Sequence, residues 1–386
     1  MRFQFVYNPD LSCAYTQTTF NYAMALSTQK VKFHLRSLQA VLNWSFTPAW
    51  AEPLRVYKGD NFLDDISVEL NNLQIGDLSK APHEKQASAV GISTFETTYL
   101  PAWLTNTLNT TQQGIIVPSI HNQNSLINSG FQKKVHVVEH ALCSNWLQDH
   151  PTLIKPKSQP HVFGYIGAWN GRKNPSLFLE AYLKAFPKNT GDTALFIKTY
   201  APAGVEDQVK HLVNKFSIDQ DRDDIWFYNE LWNEEQMLWA INQFDTYVSA
   251  HRGEGFGLGL AQAAVQRKPV IYTDYSAPCE WLPRSEGHMP IEYKLVEVVG
   301  ASDSFNLHFS TTADERLMWA EPNLDHLVEV LRLRSKSNST LSDVEVNRLR
   351  KLLSWDTIGG KLVHAIQDIT QIELERFQDD TERHSS

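Results

Sequence analysis

The feature that most restricts the fold is a regular alternation of short β-type runs and helix-period segments across the second half of the chain. Runs rich in β-branched and aromatic residues at 162–169, 193–200, 225–230, 246–251 and 268–274 read as strands. Between the first two, 174–186 sets Phe178, Ala181, Tyr182 and Ala185 at i, i+3, i+4 and i+7, one face of a helix. Segments 205–216 and 234–244 keep the same period. Such alternation predicts parallel strands joined by helical crossovers, a doubly wound α/β sheet. The first half carries the pattern more faintly, with strands expected at 2–7, 32–38, 89–94, 115–118 and 135–138 and helices at 18–28 and 122–128. The Pro- and Lys-bearing stretch 150–160 reads as a linker. Helical periods return at 323–334 and 344–353, and 355–377 reads as one long amphipathic tail helix.

A chain of 386 residues has room for two such domains, since one domain takes roughly 150 residues. Hydrophobic residues at 42% and charged residues at 20% exclude a disordered or fibrous chain. The net charge of −9 argues against general phosphate-backbone binding, which favours basic proteins. Three widely spaced cysteines, Cys13, Cys143 and Cys279, fit neither a disulfide framework nor a structural zinc site, and the expected setting is a reducing cytoplasm. The opening MRFQFVYNPD is strand-like and lacks the pattern of a secretion leader, so the sequons at Asn43, Asn109 and Asn338 read as chance matches. No run approaches the ~20 apolar residues of a membrane span.

Two loops stand out, each running from an expected strand into an expected helix. The first is Gly167-Ala-Trp-Asn-Gly-Arg-Lys-Asn-Pro. Gly167 and Gly171 permit close backbone approach, and Arg172 and Lys173 put two cations beside a helix start, an arrangement suited to a diphosphate. The second is Ser249-Ala-His-Arg-Gly-Glu-Gly-Phe-Gly-Leu-Gly-Leu. Glu254 lies there among glycines just before a helix, where its carboxylate can accept from hydroxyls. The amides of Gly255, Phe256, Gly257 and Leu258 stand beside it, and Gln262 follows eight residues later. Arg252, in the same loop, and Asn229, on the 225–230 strand, are further polar candidates for ligand contact. Glu96, in a Ser/Thr-rich segment after the 89–94 strand, reads either as a ligand-contacting group or as a helix-start carboxylate for 97–104. His140 follows an apolar strand and reads as a packed residue. The Asp219, Asp221 and Asp223 run formally matches a metal-binding D-x-D but reads as a solvated loop. Trp239 and Trp319 sit in apolar periods and read as core, and the basic residues at 332–336 and 348–351 as a solvated helix face.

The segment 249–269 resembles the donor-binding signature, E-x7-E within E-G-F-G-L-P…E-A…G-x-P-V, of the group 1 or family 4 GT-B glycosyltransferases. Tyr165-Ile-Gly-Ala-Trp-Asn-Gly-Arg-Lys-Asn-Pro is similar to the family's V-G-R-W-x-P-R-K-G-P. Thr94-Phe-Glu-Thr-Thr-Tyr-Leu-Pro, Val117-Pro-Ser, Val137-Val-Glu-His-Ala-Leu, Tyr275-Ser-Ala-Pro-Cys-Glu-Trp-Leu and Trp319-Ala-Glu-Pro-Asn-Leu-Asp-His-Leu match further segments in the same order. The resemblance implies two Rossmann-like domains facing across a cleft: 1–155 on the acceptor side, 156–354 binding a nucleotide-sugar donor, and 355–386 a helix packing back on the first. It implies a retaining, metal-independent transfer without a cofactor, from a UDP- or GDP-linked sugar to an acceptor hydroxyl. Arg172 and Lys173 then stabilise the departing diphosphate, Glu254 holds sugar hydroxyls, Glu96 touches the reacting hydroxyl or donor sugar, Arg252 and Asn229 join the donor-side set, and Gln262 stands where the family has the ribose-binding second glutamate.

Ala168, where the family often has arginine, and Gln262 depart from the pattern. They leave two alternatives open: a non-catalytic nucleotide-sugar-binding relative, and a glycosyltransferase acting on modified bases of nucleic acid. The sequence leaves the acceptor (glycan, small molecule, protein or modified nucleic acid) and the oligomeric state unassigned.

Overall fold

The computed structural model describes residues 2–7, 14–37, 49–57, 66–73, 75–78, 88–150, 159–200, 203–218, 221–282, 284, 287–298, 317–337 and 339–377. Cys13, Asn43, Asn338, Asp219 and linker positions 151–158 lie outside the described residues. The chain divides into two compact units: Met1–Thr94 with Leu100–Cys143 and Lys351–Ser386, and Phe95–Tyr99 with Ser144–Arg350.

In the first unit the order is β1 (Arg2–Tyr7), α1 (Ala14–Thr28), β2 (His34–Ser37), a 3-10 turn (Ala49–Tyr57), β3 (Ile66–Asn72), α2 (Ile75–Leu78), β4 (Ser88–Ile92), α3 (Ala102–Thr111), β5 (Gly114–Val117), α4 (Ile120–Asn128) and β6 (Lys134–Val137). The strands form one parallel sheet in the order β2-β1-β3-β4-β5-β6. Period-2 alternation turns Phe3, Phe5, Tyr7, Val68 and Leu70 to the face that carries Phe20, Tyr22 and Leu26 of α1. β3 was not expected from the sequence: buried Glu69, Asn71 and Asn72 interrupt the apolar run that marks a central strand. α3 begins later than the helix at 97–104 that one reading of Glu96 allowed: it follows Pro101, and buried Leu104 and Leu108 hold in place a segment rich in Thr and Asn, which are weak helix formers.

The second unit runs β7 (His161–Ile166), α5 (Pro175–Ala185), β8 (Thr193–Thr199), α6 (Val205–Phe216), β9 (Ile225–Asn229), α7 (Glu234–Gln243), β10 (Thr246–Ser249), α8 (Leu258–Val265), β11 (Val270–Thr273), α9 (Pro278–Trp281), β12 (Met289–Ile291), β13 (Tyr293–Glu297), β14 (Met318–Pro322) and α10 (Leu324–Arg334). Six strands make a parallel sheet ordered β12-β11-β10-β7-β8-β9, and β13 pairs antiparallel with β14. One face packs Phe163, Tyr165, Leu195 and Ile197 against α5, α6 and α10. The opposite face sets Phe196 against Trp239 of α7 and Phe244. A side chain at Gly164 of β7 would run into the Phe244 ring.

The tail differs from expectation. After α11 (Asp343–Leu352), helix α12 (Trp355–Thr370) stops short of 377 because Gln371 takes a left-handed conformation, φ 58°. The chain beyond it pairs instead with 30–32, Lys32 N–H donating to Glu375 O at 2.9 Å and Phe377 N–H to Lys30 O at 2.8 Å. α12 lies on α1 so closely that a side chain at Gly359 would strike the Ala25 carbonyl. Trp319 is buried as expected, but Trp239 is 53% exposed, so its place in an apolar period marks the rim of an aromatic cluster rather than core. The basic residues do more than solvate a helix face: Arg334 is buried and bonds Thr246, Arg348 donates to Trp281 O, and Arg350 to Val265 O.

Candidate active site

In the second sheet the chain runs outward from β7 through β8 to β9, then returns to place β10 on the other flank of β7. The crevice beyond the carboxyl ends of such a pair is where open α/β sheets bind ligands. The two loops singled out in the sequence leave these two strands. The first follows Ile166 and enters α5 through Asn174, which is left-handed at φ 53° ahead of Pro175. The second follows Ser249 and enters α8 through Gly257, whose φ of 90° a residue with a side chain would rarely adopt. Two buried tyrosines brace the first loop, Tyr165 donating to Ala168 O and Tyr247 to Ile166 O, each at 2.8 Å.

The loops bring together residues 81 apart in sequence. Lys173 Nζ lies 2.5 Å from Glu254 Oε1, and Arg172 Nη1 lies 3.6 Å from Glu254 Oε2 and 3.3 Å from Glu96 Oε1. Arg172 also donates to Gly253 O at 2.9 Å. Four charges thus alternate over a short distance, largely out of water: Glu254 is 5% exposed, and the Lys173 side chain 24%. Burial by itself would raise the Glu254 pKa, but Lys173 and Arg172 outweigh it and hold the carboxyl down to about 2. Lys173 is shifted below the ordinary ammonium value, chiefly by burial and also by the Arg172 charge, against the pull of Glu254. The carboxylate gains two cations, whereas the ammonium meets one of each sign at close range. At about 2, the Glu254 carboxyl is ionised at neutral pH.

The backbone around Glu254 is fixed from the turn that follows β11. Glu254 N–H donates to Ser276 Oγ at 2.9 Å, and Ala277 N–H to Glu254 O at 3.2 Å. Ser276 holds that position in a left-handed conformation, φ 65°. Fully buried His251 bridges the same turns, with Nδ1 3.1 Å from Ser249 Oγ and Nε2 3.3 Å from Tyr275 O. Burial lowers its pKa to about 4, so it is neutral.

Gly167 lies in the first loop and Gly255, Phe256 and Gly257 in the second, with Leu258 opening α8. Phe256 is buried against Trp281, rings stacked at 5.4 Å, and its carbonyl accepts from Trp281 Nε1 at 3.0 Å. Gln262, 9% exposed on α8, makes no side-chain hydrogen bond among the described residues. Asn229 ends β9, two strands from β7, and donates to Glu206 at 2.7 Å. Arg252 turns its guanidinium to Gly171 O and Glu321. Glu96 is not a helix-start carboxylate: α3 begins only at Ala102, after Pro101, and Glu96 sits in the short segment that belongs with the second unit. His140 is buried against Tyr22, Nδ1 2.8 Å from its hydroxyl. Asp223 pairs with Asn189, and among the described residues no group of three His, Cys, Asp or Glu is placed to hold a metal. No helix among them is long and apolar enough to cross a membrane. Ser276 and Glu321 join the site only in three dimensions. Their sole mark in the sequence is a place in the Tyr275 and Trp319 segments that resemble the family.

No protein-family model matches the chain, and no curated protein matches it in sequence. Solved structures do match. The crystal structure of a S. aureus TarM mutant in complex with Fondaparinux, alpha-GlcNAc-glycerol and UDP is 13% identical over 78% of this chain, with a TM-score of 0.55. This chain spans 55% of that one's length. Anabaena HepE in complex with UDP is 12% identical over 95% of this chain and all of its own, with a TM-score of 0.63. The lipopolysaccharide outer core galactosyltransferase WaaB in its apo form is 13% identical over 95% of this chain and 99% of its own, with a TM-score of 0.59. At 12–13% identity these are likenesses of architecture: two parallel six-stranded sheets clad in helices, the GT-B glycosyltransferase fold.

Proposed function

We propose that the protein is a glycosyltransferase whose second unit binds a nucleotide-diphosphate sugar, UDP- or GDP-linked, without a cofactor. The observation that carries this reading is the Arg172–Lys173–Glu254 cluster at the β7/β10 crevice, on a fold shared with UDP-bound HepE and TarM. Two fixed cations in the loop that enters α5 suit a diphosphate whose charge grows as the glycosidic bond breaks. They supply the charge stabilisation for which a divalent metal otherwise serves, which supports a metal-independent reaction. Both cations are engaged by carboxylates in this structure. Donor binding exchanges those partners: the diphosphate takes Lys173 and Arg172, and Glu254 turns to sugar hydroxyls.

The acceptor hydroxyl forms its bond to the anomeric carbon on the face from which the diphosphate departs, giving retention; the electron pair of the broken bond goes to the diphosphate, whose departing oxygen also takes the hydroxyl proton. Gln262, with an amide that can both donate and accept, faces the nucleotide ribose.

A thermal-shift and titration panel with UDP, GDP, ADP and TDP and their sugar conjugates, with and without chelator, tests the reading. Ligand at ~100 times its dissociation constant stabilises the fold by about 2.7 kcal/mol. A chelator-resistant shift for one nucleotide, lost in Lys173→Ala and with turnover lost in Glu254→Ala, is the expected result. No shift with any nucleotide in the wild-type protein overturns it.

A further inference from the structure

Arg252 carries a positive charge two residues from Glu254, yet its guanidinium is engaged in a way that no donor contact requires. Nη1 donates to Gly171 O at 2.7 Å, Nε donates to Glu321 Oε2 at 2.6 Å, and the plane lies over the Trp319 ring at 5.5 Å. Its backbone is held on both sides as well: Arg252 N–H donates to Arg172 O at 2.7 Å, and Ala320 N–H donates to Arg252 O at 2.8 Å. One residue therefore fastens the carbonyls of Gly171 and Arg172 to β14. The same strand fastens the Glu96 segment, with Thr98 N–H donating to Met318 O at 3.0 Å and Met318 N–H to Thr98 Oγ1 at 3.3 Å. Both sides of the Arg172–Glu96 pair are thus anchored on β14.

From this geometry we infer that Arg252 and Glu321 are positioning residues, a strut between β14 and the 171–173 turn that holds Arg172 and Lys173 where a nucleoside diphosphate needs them. The inference rests on the donor-site reading above and adds residues to it. A planar fork suits such a strut, because one edge takes a carboxylate, another a carbonyl, and the face takes an indole, which a lysine cannot reproduce. The strut acts only through the cations, so its loss falls on the part of the ligand those cations touch. A misplacement of about 1 Å can cost a reaction about 100-fold, and a partial relaxation of the turn is expected to cost diphosphate binding about tenfold.

Calorimetric titration of the full chain with UDP and UMP, and with GDP and GMP alongside, tests the strut in wild type, Glu321→Gln, Arg252→Lys and Lys173→Ala. Glu321→Gln is expected to weaken diphosphate binding about tenfold while leaving the matching monophosphate within twofold. Arg252→Lys is expected to do the same, and the double variant to lose little more. Diphosphate and monophosphate affinities falling in parallel, or no change in either, overturns the strut. Lys173→Ala separates the two claims: if it keeps the wild-type preference for diphosphate over monophosphate, or if the wild type has none, the donor-site reading itself fails and the strut with it.

Discussion

Replacing Lys173 by methionine removes the nearest cation from Glu254 while keeping most of the side chain's volume. In the native protein the Glu254 carboxyl is held at about 2 against 4.5 in an unpaired chain, although burial pushes it the other way. A difference of that size corresponds to about 3 kcal/mol of preference for the charged form. Without Lys173 the carboxylate keeps only Arg172, at 3.6 Å, against the same burial. Breaking a buried pair from one side typically costs about 3–5 kcal/mol. Here Arg172 remains, and a costly buried ammonium leaves, so a loss of about 2–3 kcal/mol is expected. For a unit of roughly 210 residues that is a fall in Tm of about 5–10 °C. Glu254→Gln alone strands the ammonium and costs a similar amount.

The double variant Lys173→Met/Glu254→Gln buries two neutral groups and is expected to recover more than half of the summed loss. Its nucleoside diphosphate binding stays lost, because the cation is gone. Thermal unfolding of the four proteins, with a diphosphate titration on each, gives the whole cycle. If the two single effects simply add in the double variant, the side chains are not coupled and the reasoning from the cluster's geometry is wrong.

Two further outcomes follow from the same structure. A Cβ at Gly253 would lie 2.5 Å from Glu96 O, so Gly253→Ala has to push the 95–99 segment away and lengthen the Arg172–Glu96 pair; a stability loss of about 1–3 kcal/mol is expected, with weaker diphosphate binding, and unchanged Tm and affinity in the purified variant refute the contact. Burial lowers the pKa of His251 and His288 to about 4 and of His140 to about 3, so the folded protein keeps them neutral while the unfolded chain protonates them near 6.5. Stability is therefore full above about pH 6.5 and declines as pH falls toward 4, with Glu254 adding to the loss between 4.5 and 2; a Tm that stays flat between pH 7 and 5 contradicts this.

The amino-acid order by itself determined the elements whose pattern is local. Alternation of strand and helix periods between 161 and 274 marked every strand from β7 to β11, and glycines beside charged residues marked the two loops. Those signals survive because the side chains facing the core recur at fixed spacing along a single element. Tertiary structure decided what depends on neighbours distant in the chain. β3 is a central strand despite Glu69, Asn71 and Asn72, because sheet pairing satisfies its backbone whatever its side chains are. α12 ends at Thr370 because the next residues find a partner at 30–32. In the site, sequence marked Arg172, Lys173 and Glu254 as chemistry but gave no distances, since their approach depends on β10 lying beside β7. Arg252 was legible as a cation in its loop; only β14, some 70 residues later, brings the Glu321 carboxylate to its guanidinium. Glu96 was legible as a carboxylate after a strand, but the fold alone places it against Arg172, because Gly253 leaves room for the Glu96 backbone to pass.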